Sequence, residues 1–173
     1  MDGRVLKFIR FYGWTRLVRH WSAMRWDDTM GLKPASLEMR PRGMFGQLER
    51  TKTSGPGKRV LVLPIFVSLR AYVRCSDWLR TGFELLGSDF SFDRDYLLPL
   101  ASENLDGCFQ RRAEYTGAIG YSRALLGTLA VSGLPASALV CPEAERFWTE
   151  HSDRTGLDSW HACLGRPRPS GRS

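Results

Sequence analysis

The sequence predicts a mostly helical α+β domain. Three observations lead there. Apolar residues recur at helical steps near the start, one glycine-rich turn separates two strand-like arms near residue 55, and helical periodicity returns in the second half. Helices and strands thus fall in separate stretches, the pattern of an α+β fold. A length of 173 residues suits one domain with a real core better than two. Hydrophobic residues at 43% and charged residues at 25% point to a folded domain rather than a disordered chain.

The first helix is read over Val5 to Asp28, where Leu6, Ile9, Trp14, Leu17, Val18, Trp21 and Met24 recur at three- and four-residue steps. Gly13 is a candidate break, because glycine weakens a helix interior by about 1 kcal/mol. Gly31 to Pro34 interrupts, and Pro34 fits the first turn of a short helix or a turn before Leu37. A hairpin follows, with Gly43 to Thr53 as one arm, Thr53 to Lys58 as the tip and Arg59 to Val67 as the other arm. Pro64 makes that second arm an edge strand or ends it early. Trp78, Leu79, Phe83, Leu85 and Leu86 suggest a short helix, followed by a loop containing Pro99. Ala113 to Val131 reads as helix, with Ile119, Leu125, Leu126 and Leu129 on one side, ended by Gly133-Leu134-Pro135. Glu143 to Leu164 is the last helix, and residues 166–173 form a disordered tail behind a domain spanning residues 1–165.

The formal net charge is +7, and Arg supplies most of the positive charge, with Lys only at positions 7, 33, 52 and 58. The guanidinium fork matches phosphate geometry, so an Arg-heavy basic domain points to a polyanionic partner, and a merely basic soluble surface is the alternative. Cys75, Cys108, Cys141 and Cys163 are widely spaced and form no CxxC pair, so they read as free thiols in a reducing compartment. His161 beside Cys163 supplies too few ligands for a zinc site, and neither a metal nor another cofactor is expected. Met1 to Phe11 carries charges in every turn and lacks the apolar core of a signal peptide, and no apolar run is long enough to span a membrane. The expectation is a soluble intracellular protein. Ser54 to Arg59 is glycine-rich but lacks P-loop spacing, and no GxSxG elbow exists, so neither nucleotide hydrolysis nor serine hydrolase chemistry is indicated. The tryptophans at positions 14, 21, 26, 78, 148 and 160 read as packing residues rather than as base-stacking platforms.

Three short stretches carry chemistry when taken together. Ser22-Ala23-Met24-Arg25 precedes Asp28, which would share a helical face with Arg25 and hold its guanidinium. Arg50-Thr51-Lys52-Thr53 sits at the end of a strand before the glycine-rich tip, where a lysine can swing onto a ligand. His151-Ser152-Asp153-Arg154 puts imidazole and guanidinium one helical turn apart, in reach of one phosphate. Each alone has an ordinary explanation: an intrahelical ion pair, a solvated loop lysine, a chance HxxR.

In this order, the three stretches resemble the tyrosine recombinases. That family shows a first arginine in a TGLR-like pattern with an acid three residues on, then a Leu-Arg-Trp-like step, where Leu32-Lys33 stands here. A lysine on a β-hairpin and an HxxR box on a late helix follow. The resemblance covers roughly Trp14 to Gly165 and is most specific from Arg25 to Thr53. The style of Phe147 to His151 and of Arg50 to Lys58 is similar to recombinase-like genes of eukaryotic mobile elements.

The resemblance implies a helical catalytic domain with a small β-hairpin, as in DNA breaking-rejoining enzymes. It implies metal-free attack by a tyrosine on a phosphodiester. Arg25 and Arg154 would clamp the non-bridging oxygens, Lys52 would protonate the leaving 5′-oxygen, and His151 would serve as acid/base or donor. Asp28 would support them, with Arg50, Thr51, Thr53, Lys58 and Arg59 on the DNA. The implied partner is DNA, with no membrane, a nuclear or otherwise DNA-associated location, and a possible homo-oligomer on DNA in a full-length form. Two departures stand out. No Tyr follows His151, the last being Tyr121, and no DNA-clamping domain precedes Arg25. A truncated catalytic domain that binds DNA without cutting it is the expectation. A non-catalytic basic nucleic-acid-binding or interaction module is the alternative.

Overall fold

The computed structural model describes residues 5–49, 55–57, 59–72 and 75–131. Helix α1 spans Lys7–Trp21, and a short α2 spans Trp26–Met30. A 3-10 turn at Pro34–Ser36 leads into strands β1 (Glu38–Arg40), β2 (Gly43–Leu48) and β3 (Leu63–Ser68). Helix α3 (Trp78–Ser88), strands β4 (Pro99–Ala101) and β5 (Cys108–Arg112), and helix α4 (Tyr115–Val131) complete the order. The α+β class stands.

Helix α1 is the central element. Its inward face carries Phe8, Phe11, Tyr12, Trp14, Thr15, Val18 and Arg19. Trp14 is fully buried, and its indole N–H donates to the carbonyl of Leu79 on α3 at 3.2 Å. That contact needs a glycine. A Cβ at Gly82 would stand 1.9 Å from the Trp14 ring. Phe11 stacks on Phe90 at 4.3 Å between centroids, and Phe8 meets Tyr121 of α4 edge-on at 5.0 Å. The Tyr12 hydroxyl donates to the Ala118 carbonyl at 3.1 Å and lies 2.6 Å from the Ser122 hydroxyl. The buried polar groups of Trp14, Tyr12 and Ser122 are therefore paired, as a dry interior requires.

Two antiparallel sheets flank this core. The first has strand order β1-β2-β3, with Leu48 opposite Leu63 and Gly43 opposite Ser68. Along β3, Ile65 and Val67 point inward while Pro64 and Phe66 face out, the two-residue alternation of a half-buried strand. The second pairs β4 with β5. The backbone N–H of Ala101 in β4 donates to the Tyr121 hydroxyl at 2.9 Å, fixing that sheet to α4. Between α3 and β4 the chain wraps around one buried arginine. The Arg94 guanidinium donates to the carbonyls of Phe90, Tyr96 and Leu97 at 2.5, 3.0 and 3.3 Å. Burial holds its pKa below the ordinary value, yet arginine stays charged.

Several expectations change. The first helix does not reach Asp28: it runs straight through Gly13, which packs on Leu125, and ends at Trp21. The Glu38–Arg40 strand was not foreseen, being too short to show alternation. Pro99 does not sit in a loop but begins β4, where a proline is tolerated at the first strand position. On α4 the most buried positions are Ala118, Tyr121 and Ser122, with Ile119, Leu125 and Leu126 half-buried. The hairpin pairing agrees with the sequence, but its second strand begins at Leu63 rather than Arg59 and its first is Gly43–Leu48; the edge position of Pro64, the short turn at Pro34 and the packing of Trp14 and Trp78 also agree. Cys75 and Cys108 are free thiols. No helix among the described residues is long and apolar enough to cross a membrane. The helix at Glu143 to Leu164, the tail, Trp148, Trp160, Cys141 and Cys163 lie outside the described residues.

Substituting Gly82→Ala is expected to lower unfolding stability by about 1–3 kcal/mol or more, measured by urea denaturation. An unchanged midpoint would mean that α1 and α3 do not cross at this distance.

Candidate functional site

Helix α1 ends in a Schellman turn. Met24 N–H donates to the Arg19 carbonyl at 3.0 Å, and Ala23 N–H to the His20 carbonyl at 3.2 Å. This hydrogen-bond pair requires a left-handed residue at the position after the cap, and Ala23 adopts φ 54°. Met24 then tucks into the core at 6% exposure. The reversal delivers Arg25 to the surface as the residue capping α2.

Arg25 and Asp28 do meet, but through the backbone. The Asp28 carboxylate accepts from the Arg25 backbone N–H at 2.9 Å. Among the described residues, no ion pair links the two side chains. The expected guanidinium–carboxylate pair assumed one continuous helix, and the turn at Ala23 removes that geometry. The Arg25 carbonyl accepts from both Thr29 N–H and Thr29 Oγ1 at 3.1 Å. Arg25 is thus pinned at both backbone groups while its head is exposed. Its neighbour Trp26 meets the Tyr115 ring edge-on at 5.7 Å and sits under the Arg19 guanidinium at 5.9 Å. Arg19 is itself only 4% exposed.

The hairpin joins this segment beside the end of β2. Leu32 pairs with Leu48 in an isolated antiparallel bridge. Next along each strand, the Lys33 ammonium donates to the Glu49 carboxylate at 2.5 Å. The Ser36 hydroxyl adds a weaker tie to the Gln47 backbone, at 3.3 Å to its carbonyl. Arg50, Thr51, Lys52 and Thr53 follow Glu49 directly in sequence, and they lie outside the described residues, as do Lys58, His151 and Arg154. Arg59 is described and exposed. At the tip, Gly55 N–H donates to the Val60 carbonyl at 2.9 Å, and Gly57 takes φ 74°, the left-handed region that glycine permits. Of the expected site residues, then, the structure describes Arg25, Asp28 and Arg59.

Two tyrosine hydroxyls are engaged in the core. Tyr121 is 8% exposed and bonded to Ala101, and Tyr12 is 1% exposed and bonded to Ala118. Sequence reasoning missed Arg19, although its place on the Phe8, Tyr12, Thr15 face of α1 is a signal that it points inward. It also missed the outward face of the three-stranded sheet. There the Arg40 guanidinium lies 4.6 Å from the Phe45 ring, and Phe45 pairs with Phe66 at 4.7 Å.

No family model matches this chain, and no curated protein matches it in sequence. Its structure is similar to a solved one, "FLP Recombinase-Holliday Junction Complex I", with 15% sequence identity and a TM-score of 0.49. The similarity covers 95% of this chain but only 37% of that chain. At that distance the likeness carries no argument about activity.

Replacing Ala23 by Gly relieves the left-handed backbone that supports Arg25. The substitution is expected to raise stability by about 1 kcal/mol. A lowered thermal midpoint would mean that the turn is not left-handed at this residue.

Proposed function

We propose that this chain is a DNA-binding portion of a tyrosine-recombinase-like catalytic domain, one that grips a phosphodiester but does not cut it unaided. In this reading Arg25 and Arg154 take the two non-bridging oxygens, where preformed cations act most strongly on developing charge. Lys52 donates to the 5′-oxygen, His151 serves as acid/base or donor, and Asp28 holds the Arg25 backbone. Arg50, Thr51, Thr53, Lys58 and Arg59 track the neighbouring backbone.

The supporting observation is the Leu32–Leu48 bridge with the Lys33–Glu49 ion pair beside it. These contacts fasten the segment that carries Arg25 to the end of the strand that precedes Lys52 in sequence. The Arg25 head supports the same reading, being exposed on a backbone fixed at both its N–H and its carbonyl. A backbone-fixed stem under an exposed guanidinium suits a phosphate contact.

None of the chain's five tyrosines is assigned as nucleophile. The hydroxyls of Tyr12 and Tyr121 are engaged in the core, so neither can reach a phosphodiester without unfolding its surroundings.

Incubating the chain with a nicked suicide duplex is expected to give no covalent adduct on a denaturing gel. An adduct mapped to Tyr115 or Tyr121 would overturn the assignment. Duplex binding is expected to be weak and to fall steeply with salt, because each phosphate contact releases a counterion. Arg25→Ala and Lys52→Ala should each flatten the logarithmic salt slope by about 1. Affinity that does not change between low and high salt would sink the phosphate-gripping role.

A further inference from the structure

Among the described residues, no element covers the outward face of the β1-β2-β3 sheet, an aromatic surface edged with arginine. Phe45 on β2 stands directly opposite Phe66 on β3, and their rings are 4.7 Å apart. Phe66 is 45% exposed. Its ring lies across Gly43: a Cβ on that glycine would come within 2.5 Å of the ring. The ring therefore rests on bare backbone and turns its free side to solvent. Arg40 on β1 packs its guanidinium against Phe45 and pairs with Glu38 at 2.6 Å. Two further exposed arginines, Arg42 and Arg70, flank the same end of the sheet, where Leu69 N–H donates to the Arg42 carbonyl. The local balance is three arginines against one carboxylate.

Phe66 pairs with Phe45 across the strands and still stands 45% exposed on an edge strand, an arrangement that normally costs solubility. The geometry points to a single-strand binding platform: an unpaired nucleobase stacks on Phe66, and Arg40, Arg42 and Arg70 take the flanking phosphates. Every base offers a π-face, so such a platform is tolerant of sequence. Paired bases in a duplex are already stacked and cannot use it. Charge selects the occupant, because a basic rim around an aromatic ring suits a polyanion with flat groups and repels a second copy of the same basic face. The site uses none of the residues assigned above to the duplex phosphodiester, and it shares with that reading only the class of partner.

The test compares binding of the full chain to a labelled oligo-dT strand and to a duplex of equal phosphate number. Phe66→Leu keeps an apolar side chain but removes the ring. It is expected to weaken oligo-dT binding about tenfold, the size of one lost base stack, with duplex affinity and the salt slope unchanged. Phe66→Trp is expected to match or exceed the parent. Thermal midpoints within a few degrees of the parent would exclude unfolding as the cause. Three results would overturn the platform: equal oligo-dT affinity for Phe66→Leu and the parent, parallel loss on duplex and single strand, or a parent that self-associates in sedimentation and is dispersed by Phe66→Leu. The last would make the face a contact between copies. Loss of duplex binding with oligo-dT binding intact would instead count against the phosphodiester reading alone.

Discussion

Helix α1 can approach α3 as closely as it does because position 82 carries no side chain. The Trp14 ring occupies the space that a Cβ would take and hydrogen-bonds the Leu79 carbonyl one turn away. From that crossing the rest of the interior follows. Seating Trp14 fixes the rotation of α1, which aims Phe8 and Phe11 at Phe90 and Tyr121 and aims Tyr12 at α4. Tyr121 in turn holds β4. A core of interlocking rings tolerates little volume change, so the outer elements inherit their positions from one helix–helix contact.

The same rotation explains how a surface arginine is positioned from within. Arg19 is buried as part of the α1 inner face, and it closes the helix through its carbonyl while its guanidinium lies over Trp26. The end of α1 is therefore a packed corner rather than a frayed terminus. Arg25 emerges from that corner with its backbone bonded on both sides. Rigid support beneath an exposed cation favours binding, since less motion is lost when an anion arrives.

Most of the architecture was legible in the sequence. The hairpin was visible because strand-like Arg59 to Val67 follows a glycine-rich turn, and α4 because its apolar residues recur over more than four turns. The break at Ala23 was not legible. Nothing marks an alanine as left-handed, and the apolar spacing carries on through Met24 because Met24 is buried by the turn itself. The β4-β5 pair was missed for a similar reason: four of the five β5 positions are exposed, and its anchors, Phe8 on α1 and Tyr121 on α4, are distant in sequence. For the site, sequence supplied Arg25 and Asp28 as neighbours but not the nature of their bond, which depends on where the helix ends. The outward Phe45–Phe66 pair needed cross-strand register, and register is a property of two segments together.

The Leu32–Leu48 bridge separates two parts of the hairpin by what they can accommodate. Below it, the Lys33–Glu49 pair and the sheet ladder fix residues 33–48 in one register, where an insertion would turn every side chain to the wrong face. Beyond the last ladder pair, Leu48 with Leu63, chain length is a soft variable. Doubling a flexible connection costs only about 0.6 kcal/mol of closure entropy. A change of length there leaves both the ladder and the backbone contacts that hold Arg25 as they are.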